Sequence, residues 1–223
     1  MKIQGAIFDC DGTLVDSLGF WRIFYQMLGE RYFHDKNFWP KPEDDHAMRT
    51  QNTEFLGRTL HTKYGAGESA EEVRDWFYDR FGWYYDNIVP LKPGVRELLA
   101  YWKAQNVKMC VATASEIHMV KRILERHGVL QYFDDIISCT VVGAGKDKPD
   151  VFFAAQKFLG TPQEQTWVVE DSALAIETAR NAGFPTIGVY DVNGVKQAQA
   201  RELSDVFLDD GESFADLITK MES

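Results

Sequence analysis

The pattern of apolar runs predicts an α/β fold, in which a parallel sheet is covered by helices on both faces and a helical unit is inserted after the first strand. Three observations carry this. Beyond Pro90, short apolar runs alternate with helical spacing. Strands joined by helices run parallel and are buried on both faces, so they read as continuous apolar stretches. Between Ser17 and about Val89 only helical spacing appears. The first apolar run ends in Ile7-Phe8-Asp9-Cys10-Asp11-Gly12-Thr13-Leu14-Val15-Asp16, so the insertion leaves and re-enters beside a pair of carboxylates. Residues 1–16 and 91–223 are therefore expected to form the α/β core, and residues 17–90 a helical domain.

Each element has a local reason. In the insertion, Leu18, Trp21, Phe24, Tyr25 and Leu28 fall at helical spacing, as do Phe55, Leu56, Thr59, Leu60 and Tyr64 before Gly65. Ser69-Ala70-Glu71-Glu72 is a capping box, and Val73, Trp76, Phe77, Phe81 and Tyr84 continue a third helix. His34 to Asp45, polar and carrying Pro40 and Pro42, reads as a loop. In the core, Pro93-Gly94 opens a helix through Leu98, Leu99 and Trp102, and Val107 to Ala112 is a strand. Ser115 can cap a helix through Val120, Ile123 and Leu124 that Gly128 stops. Ile136-Ile137 is a short strand, and Pro149 to Leu159 a helix ended by Gly160. Thr161-Pro162-Gln163-Glu164 combines a capping box with proline at the first helical position. Thr166 to Val169 and Thr186 to Val189 are strands flanking a helix from Ser172 to Ala182.

The chain has 223 residues, 45% hydrophobic and 26% charged, which is ample material for a core. Its net charge of −10 argues against a nucleic-acid surface, which needs a basic patch. No apolar run reaches the length of a membrane span, and no basic segment followed by a signal-like apolar stretch precedes the first strand. Cys10, Cys110 and Cys139 are odd in number, fit no zinc spacing and sit in apolar surroundings, as expected of reduced buried thiols. The expectation is a cytoplasmic monomer that binds neither nucleic acid nor membrane.

Four stretches carry chemistry. Alternate strand residues point the same way, so Asp9 and Asp11 face one site as far as the strand geometry persists. Carboxylates packed together repel unless a cation, a shared proton or water compensates. The economical reading is a magnesium-dependent site where one Asp attacks and the other handles protons. Thr113-Ala114-Ser115, at the end of the second strand, offers hydroxyls and backbone N–H groups at a helix start, an anion site. Gly145-Lys146-Asp147-Lys148-Pro149-Asp150 places two lysines, Lys146 and Lys148, on the loop after the third strand. Glu170-Asp171-Ser172 closes another strand with a second acidic pair.

Taken in this order, the four stretches resemble the motifs of the haloacid dehalogenase superfamily: D-x-D-G-T-L-x-D-S, a strand-end hydroxyl, G-K-x-x-P-D-x-F and E-D-S. The resemblance is to the β-phosphoglucomutase-like and phosphoglycolate-phosphatase-like branch. It implies a Rossmann-like core, a helical cap and magnesium as cofactor. It implies that Asp9 attacks phosphorus and Asp11 acts as acid and base. Thr113, Ala114, Ser115 and Lys146 would hold the phosphate, the lysine being placed at 146 by matching Pro149-Asp150-Val151-Phe152 to the motif's tail. Asp9, the Asp11 carbonyl, Asp171 and Glu170, the last directly or through water, would hold the metal. The substrate would be a small phosphorylated metabolite, hydrolysed by a phosphatase or rearranged by a sugar phosphomutase. Mutases of this branch carry a histidine near the start of the first cap helix, where this chain has Trp21. Ala175 departs from the glycine common after E-D-S-x-x, a matter of helix packing. Specificity would lie in the cap, where Arg22, His46, Arg49, Gln51, Asn52 and Arg58 are candidate contacts.

Overall fold

In the computed structural model, residues 2–50 and 53–222 are described; Met1, Gln51, Asn52 and Ser223 lie outside the described residues. The chain divides into two compact units, Met1–Leu18 with Val89–Ser223, and Gly19–Ile88.

The first unit is built on six parallel strands: β1 (Gly5–Phe8), β2 (Lys108–Thr113), β3 (Asp135–Ser138), β4 (Thr166–Glu170), β5 (Thr186–Val189) and β6 (Val206–Leu208). Their order is β3-β2-β1-β4-β5-β6. Successive strands run outward from β1 on one side and from β4 on the other, so the winding reverses between β1 and β4. The crevice at the carboxyl ends of such a pair is where open α/β sheets bind ligands. Among the described residues, seven α-helices belong to this unit: α5 (Val95–Ala104), α6 (Ile117–Arg126), α7 (Cys139–Val142), α8 (Asp150–Leu159), α9 (Ala173–Asn181), α10 (Gln197–Leu203) and α11 (Asp216–Glu222).

Period-two alternation sends neighbouring β1 residues to opposite faces. Ile7 joins Cys110, Ala112 and Val168 against Val151, Phe152, Ala155 and Leu159 of α8 and Ala175 and Ala179 of α9. Phe8 meets Trp102 of α5, with ring centroids 5.7 Å apart, and Phe133 at 5.8 Å. Full burial of side chains such as Phe152 and Leu159 stabilises the fold by about 1.5–3 kcal/mol each. Ala175 is 1% exposed inside this cluster, so its methyl fills a helix–sheet contact.

The second unit contains α1 (Phe20–Leu28), a π-helical turn (Gly29–Phe33), α2 (Pro42–Thr50), α3 (Thr53–Tyr64) and α4 (Ala70–Asn87). Its core is aromatic: Phe20 stacks on Phe24 at 5.7 Å, and both meet Phe77. Among the described residues no helix is long and apolar enough to cross a membrane.

Several expectations need correction. The stretch to Asp45 is not all loop, because α2 starts at Pro42, a proline at the first helical position. Leu18 precedes α1, which begins at Phe20. Ser69 caps α4 by accepting from the Glu72 N–H at 3.1 Å, but Glu72 turns to the Glu68 N–H rather than closing the box on Ser69. Thr161-Pro162-Gln163-Glu164 opens only a 3-10 turn, Gln163–Gln165, because β4 begins at once and the Thr161 hydroxyl bonds Thr166 Oγ1 at 2.7 Å. The N-cap of α6 is Glu116, not Ser115. Helix α8 ends as expected, Gly160 taking the left-handed conformation at φ 65°. Strand β6, with α7, α10 and α11, goes beyond the expected elements; three to seven residues carry too little periodicity to declare themselves.

Candidate active site

Parallel register brings the acids together. Phe8 pairs with Val169 across β1 and β4, so Asp9, one residue further, is level with Glu170. The Asp9 N–H donates to the Val169 carbonyl at 2.9 Å, keeping the two strand ends joined at the crevice. Ligand oxygens of Asp9, Glu170 and Asp171 lie within 4.8 Å of one another, and all three residues are buried. Thr13 donates its hydroxyl to Asp171 Oδ1 at 3.0 Å, and Glu170 Oε2 accepts from the Ser172 N–H at 3.1 Å.

The turn after β1 depends on Gly12, at φ 83°. A Cβ there would stand 2.8 Å from Asp171 Oδ2 and from Leu18 Cδ1, so both the backbone conformation and the close approach require glycine.

Lys146 reaches this cluster from the loop between α7 and α8. Its Nζ donates to Asp9 Oδ1 and, at 2.5 Å, to Glu170 Oε1, and its side chain is 12% exposed. Lys148 is exposed. Of the two lysines left open by the motif, Lys146 is thus the one the fold brings to Asp9.

Asp11 stands apart. Strand β1 stops at Phe8, and the N–H groups of Thr13, Leu14 and Val15 fold back onto the Cys10 carbonyl. The expected alternation therefore does not extend to Asp11. Its carboxylate accepts from the hydroxyls of Ser17 at 2.6 Å and Ser115 at 2.7 Å. Ser115 is thereby occupied, and its N–H donates to Thr113 Oγ1 at 2.9 Å. Thr113 is fully buried, while Ala114 between them is exposed.

Burial dominates the electrostatics. It pushes the Asp9 carboxyl up to about 7 against the pull of Lys146, with Glu170 and Asp11 adding to the rise. Asp171 is raised well above the usual carboxylate range, first by burial and then by Glu170, Asp9 and Asp191. Burial opposes charge on Lys146, but Asp9 and Glu170 outweigh it and hold the ammonium above its ordinary value. Three buried carboxylates facing one ammonium leave an excess of negative charge that a hard divalent cation with oxygen preference would neutralise. The donor set fits magnesium or manganese.

A cleft of about 470 Å³ opens beyond β5 and β6. Asp16, Asp191, Asp209, Asp210 and Glu212 outnumber Lys92 in its lining, so it is a poor place for an anion. Cys10, Cys110 and Cys139 are buried and form no disulfide among the described residues, and burial raises the Cys110 and Cys139 thiols.

In the second unit, Arg49 pairs with Asp45 at 2.6 Å and lies over the Trp21 ring at 5.1 Å, while Arg22 and Arg58 are exposed. Gln51, Asn52 and the side chain of His46 lie outside the described residues. The site residues that sequence reasoning missed are Thr13, which holds Asp171, and Ser17, which holds Asp11; both sit inside the first motif as hydroxyls.

Residues 3–183 match the family described as haloacid dehalogenase-like hydrolase. A phosphorylated carbohydrates phosphatase of Thermotoga maritima is 26% identical over 190 residues, 83% of this chain and 84% of that protein. The β-phosphoglucomutase of Bacillus subtilis is 25% identical, covering 84% of this chain and 83% of its own. Other relatives are longer, the chain spanning 18% of one and 62% of another. Among solved structures, CbbY from Rhodobacter sphaeroides in complex with xylulose-(1,5)bisphosphate has a TM-score of 0.76 at 24% identity, covering 96% of each chain, a likeness of fold.

Proposed function

Since the chain belongs to the haloacid dehalogenase-like hydrolase family, we propose that it is a magnesium-dependent phosphatase of small phosphorylated metabolites, working through an aspartyl phosphate on Asp9. The observation that carries this is the division between two carboxylates two residues apart. Asp9 is buried against Lys146, Glu170 and Asp171, and Asp11 is hydrogen-bonded by two hydroxyls outside that cluster. Carboxyl groups placed in such different environments take different tasks.

Asp9, Glu170 and Asp171, with the Asp11 carbonyl, are the residues that would hold the cation, which when bound neutralises charge on the transferring phosphoryl group. An Asp9 carboxylate oxygen attacks phosphorus in line, and the bond to the leaving alkoxide breaks as Asp11 delivers its proton. Asp11, now ionised, takes a proton from water. The hydroxide equivalent attacks phosphorus, orthophosphate leaves and the Asp9 carboxylate is regenerated. The Ser17 and Ser115 hydroxyls can rotate to donate or to accept, so Asp11 keeps its anchors in both protonation states. Lys146 and the Thr113–Ser115 strand end bind phosphoryl oxygens, and the ammonium orients the nucleophile. The helical unit, Gly19–Ile88, acts as a cap that selects the substrate.

Hydrolysis is favoured over phosphomutase chemistry by Trp21. Its ring packs 5.6 Å from Phe77 and 5.9 Å from Tyr25, and an indole N–H cannot shuttle protons to a sugar hydroxyl. The test is orthophosphate release from p-nitrophenyl phosphate and from a panel of phosphorylated metabolites, with magnesium and with EDTA. Release that is steady, magnesium-dependent and lost in Asp9→Asn supports the reading. Turnover in EDTA, or retained in Asp9→Asn, overturns it.

A further inference from the structure

Lys92 lies where the chain re-enters the first unit. Its N–H donates to the Leu14 carbonyl at 3.0 Å, and Leu91 bridges Val15. Its side chain crosses to the loop after β5: Nζ donates to the Tyr190 carbonyl at 2.8 Å and pairs with Asp191 Oδ2 at 2.8 Å. Asp191 is 2% exposed, and its Oδ1 accepts from the Asn193 N–H at 2.8 Å. The pair thus stands beyond the end of the strand next to β4, whose own end carries Glu170 and Asp171. A second thread joins them, because Leu14 follows Thr13, whose hydroxyl holds Asp171.

A buried ion pair is weak evidence for stability, since well-packed apolar residues often serve as well or better. A charge count gives this one another use. Among the described residues, Asp9, Glu170, Asp171 and Asp191 are the buried carboxylates at this end of the sheet; Lys146, nearly buried, pairs with Asp9 and Glu170, and Lys92 with Asp191. Ionised, they sum to the charge that one divalent cation neutralises. Loss of Lys92 would deepen the negative excess, and loss of Asp191 would diminish it.

We propose that Lys92 and Asp191 are positioning residues that set the charge, and with it the divalent-cation affinity, of the Asp9–Glu170–Asp171 site. This rests on the metal site of the proposed function. It differs from a structural role by its signs: the two single variants move affinity in opposite directions, and the double variant restores it.

The experiment is Mn²⁺ binding to the full chain, by calorimetry and by the electron paramagnetic resonance of free Mn²⁺. Asp191→Asn should weaken binding, and Lys92→Met should tighten it, each by on the order of tenfold. The double variant should bind within about threefold of the wild type. Weakening in both single variants, or an unmoved dissociation constant in Asp191→Asn, overturns the proposal. Should Lys92→Met not fold, the double variant, which buries no unpaired charge, decides. Affinity regained relative to Asp191→Asn supports the proposal, and affinity not regained overturns it. Asp171→Asn separates the two readings. If it abolishes binding while the Lys92 and Asp191 variants bind as the wild type does, the metal site stands and only this inference falls. If the wild type binds no Mn²⁺, or Asp171→Asn binds equally well, both fall.

Discussion

Asp9 and Asp11 are the same side chain two residues apart, and their neighbours make them different reagents. Asp9 ends a strand inside a ring of charge; Asp11 sits in the turn, held by Ser17 and Ser115. Asp9→Asn is nearly isosteric and cannot attack, so phosphatase kcat should fall about a thousandfold or more while the fold is retained. Circular dichroism and orthophosphate release check both halves. Asp11→Asn should leave the nucleophile working on activated esters but remove the base, so rapid-quench labelling should show the aspartyl phosphate accumulating. Normal decay of that intermediate would assign the base elsewhere. Lys146→Ala should lower kcat/KM by at least about a hundredfold through lost phosphoryl stabilisation. Lys148→Ala, an exposed position, should stay within about twofold. At this scale the residues that the fold brings together, Asp9, Glu170, Asp171 and Lys146, were legible because each lies in a contiguous motif. Lys92 and Asp191, 99 positions apart in the chain, carry no local signal, and only the fold makes them partners.

At the scale of elements, the site is made by how strands end. The register Phe8–Val169 aligns Asp9 with Glu170, and Gly12 lets the following turn pass Asp171. The helix behind them is held by apolar burial, with Lys108 of β2 donating to the Leu159 carbonyl at its end at 2.7 Å. Phe152, 1% exposed on α8, packs under β1 and β4. Phe152→Ala should cost about 3–5 kcal/mol in denaturant unfolding, with kcat for the surviving folded protein little changed, because the residue supports the scaffold and touches no reacting group. Element boundaries were legible where caps and breakers are strong, as at Gly160 and Ser69. They were misread where one signal has two uses. Pro42 ends a loop or starts a helix, and Thr161 can cap a helix or, as here, bond across a short turn to Thr166.

Across the whole molecule, a net charge of −10 surrounds the proposed phosphate site, where Lys146 and the proposed cation would reverse the field locally. The same cluster ties stability to pH. Without metal, folding raises Asp9 from 3.8 to about 7, mainly by burial, so the folded chain keeps a proton that the unfolded chain releases. Asp171 is raised in the same sense. Stability from Asp9 is therefore present at low pH, declines as pH rises from about 4 towards 7, and levels off above the folded value, and Asp171 adds a decline of the same sign. Thermal midpoints in EDTA should show this decline, flattened in Asp9→Asn and in Asp171→Asn. If magnesium binds the ionised carboxylates as proposed, it should raise the midpoint more above pH 7 than below it. A decline unaltered in both variants would place its origin elsewhere.

The sequence by itself determined the parallel α/β class, the insertion after the first strand, and the acids and lysine that mark the site, because periodicity and strand-end motifs are properties of neighbours in the chain. Tertiary structure decided the rest. Which lysine meets Asp9, that Asp11 turns away to two serines, and that Lys92 pairs with Asp191 beside Asp171 all depend on where separate strands end relative to one another. That is set by sheet register and order, and by the burial that makes each unpaired charge costly, neither of which is written in any single stretch of residues.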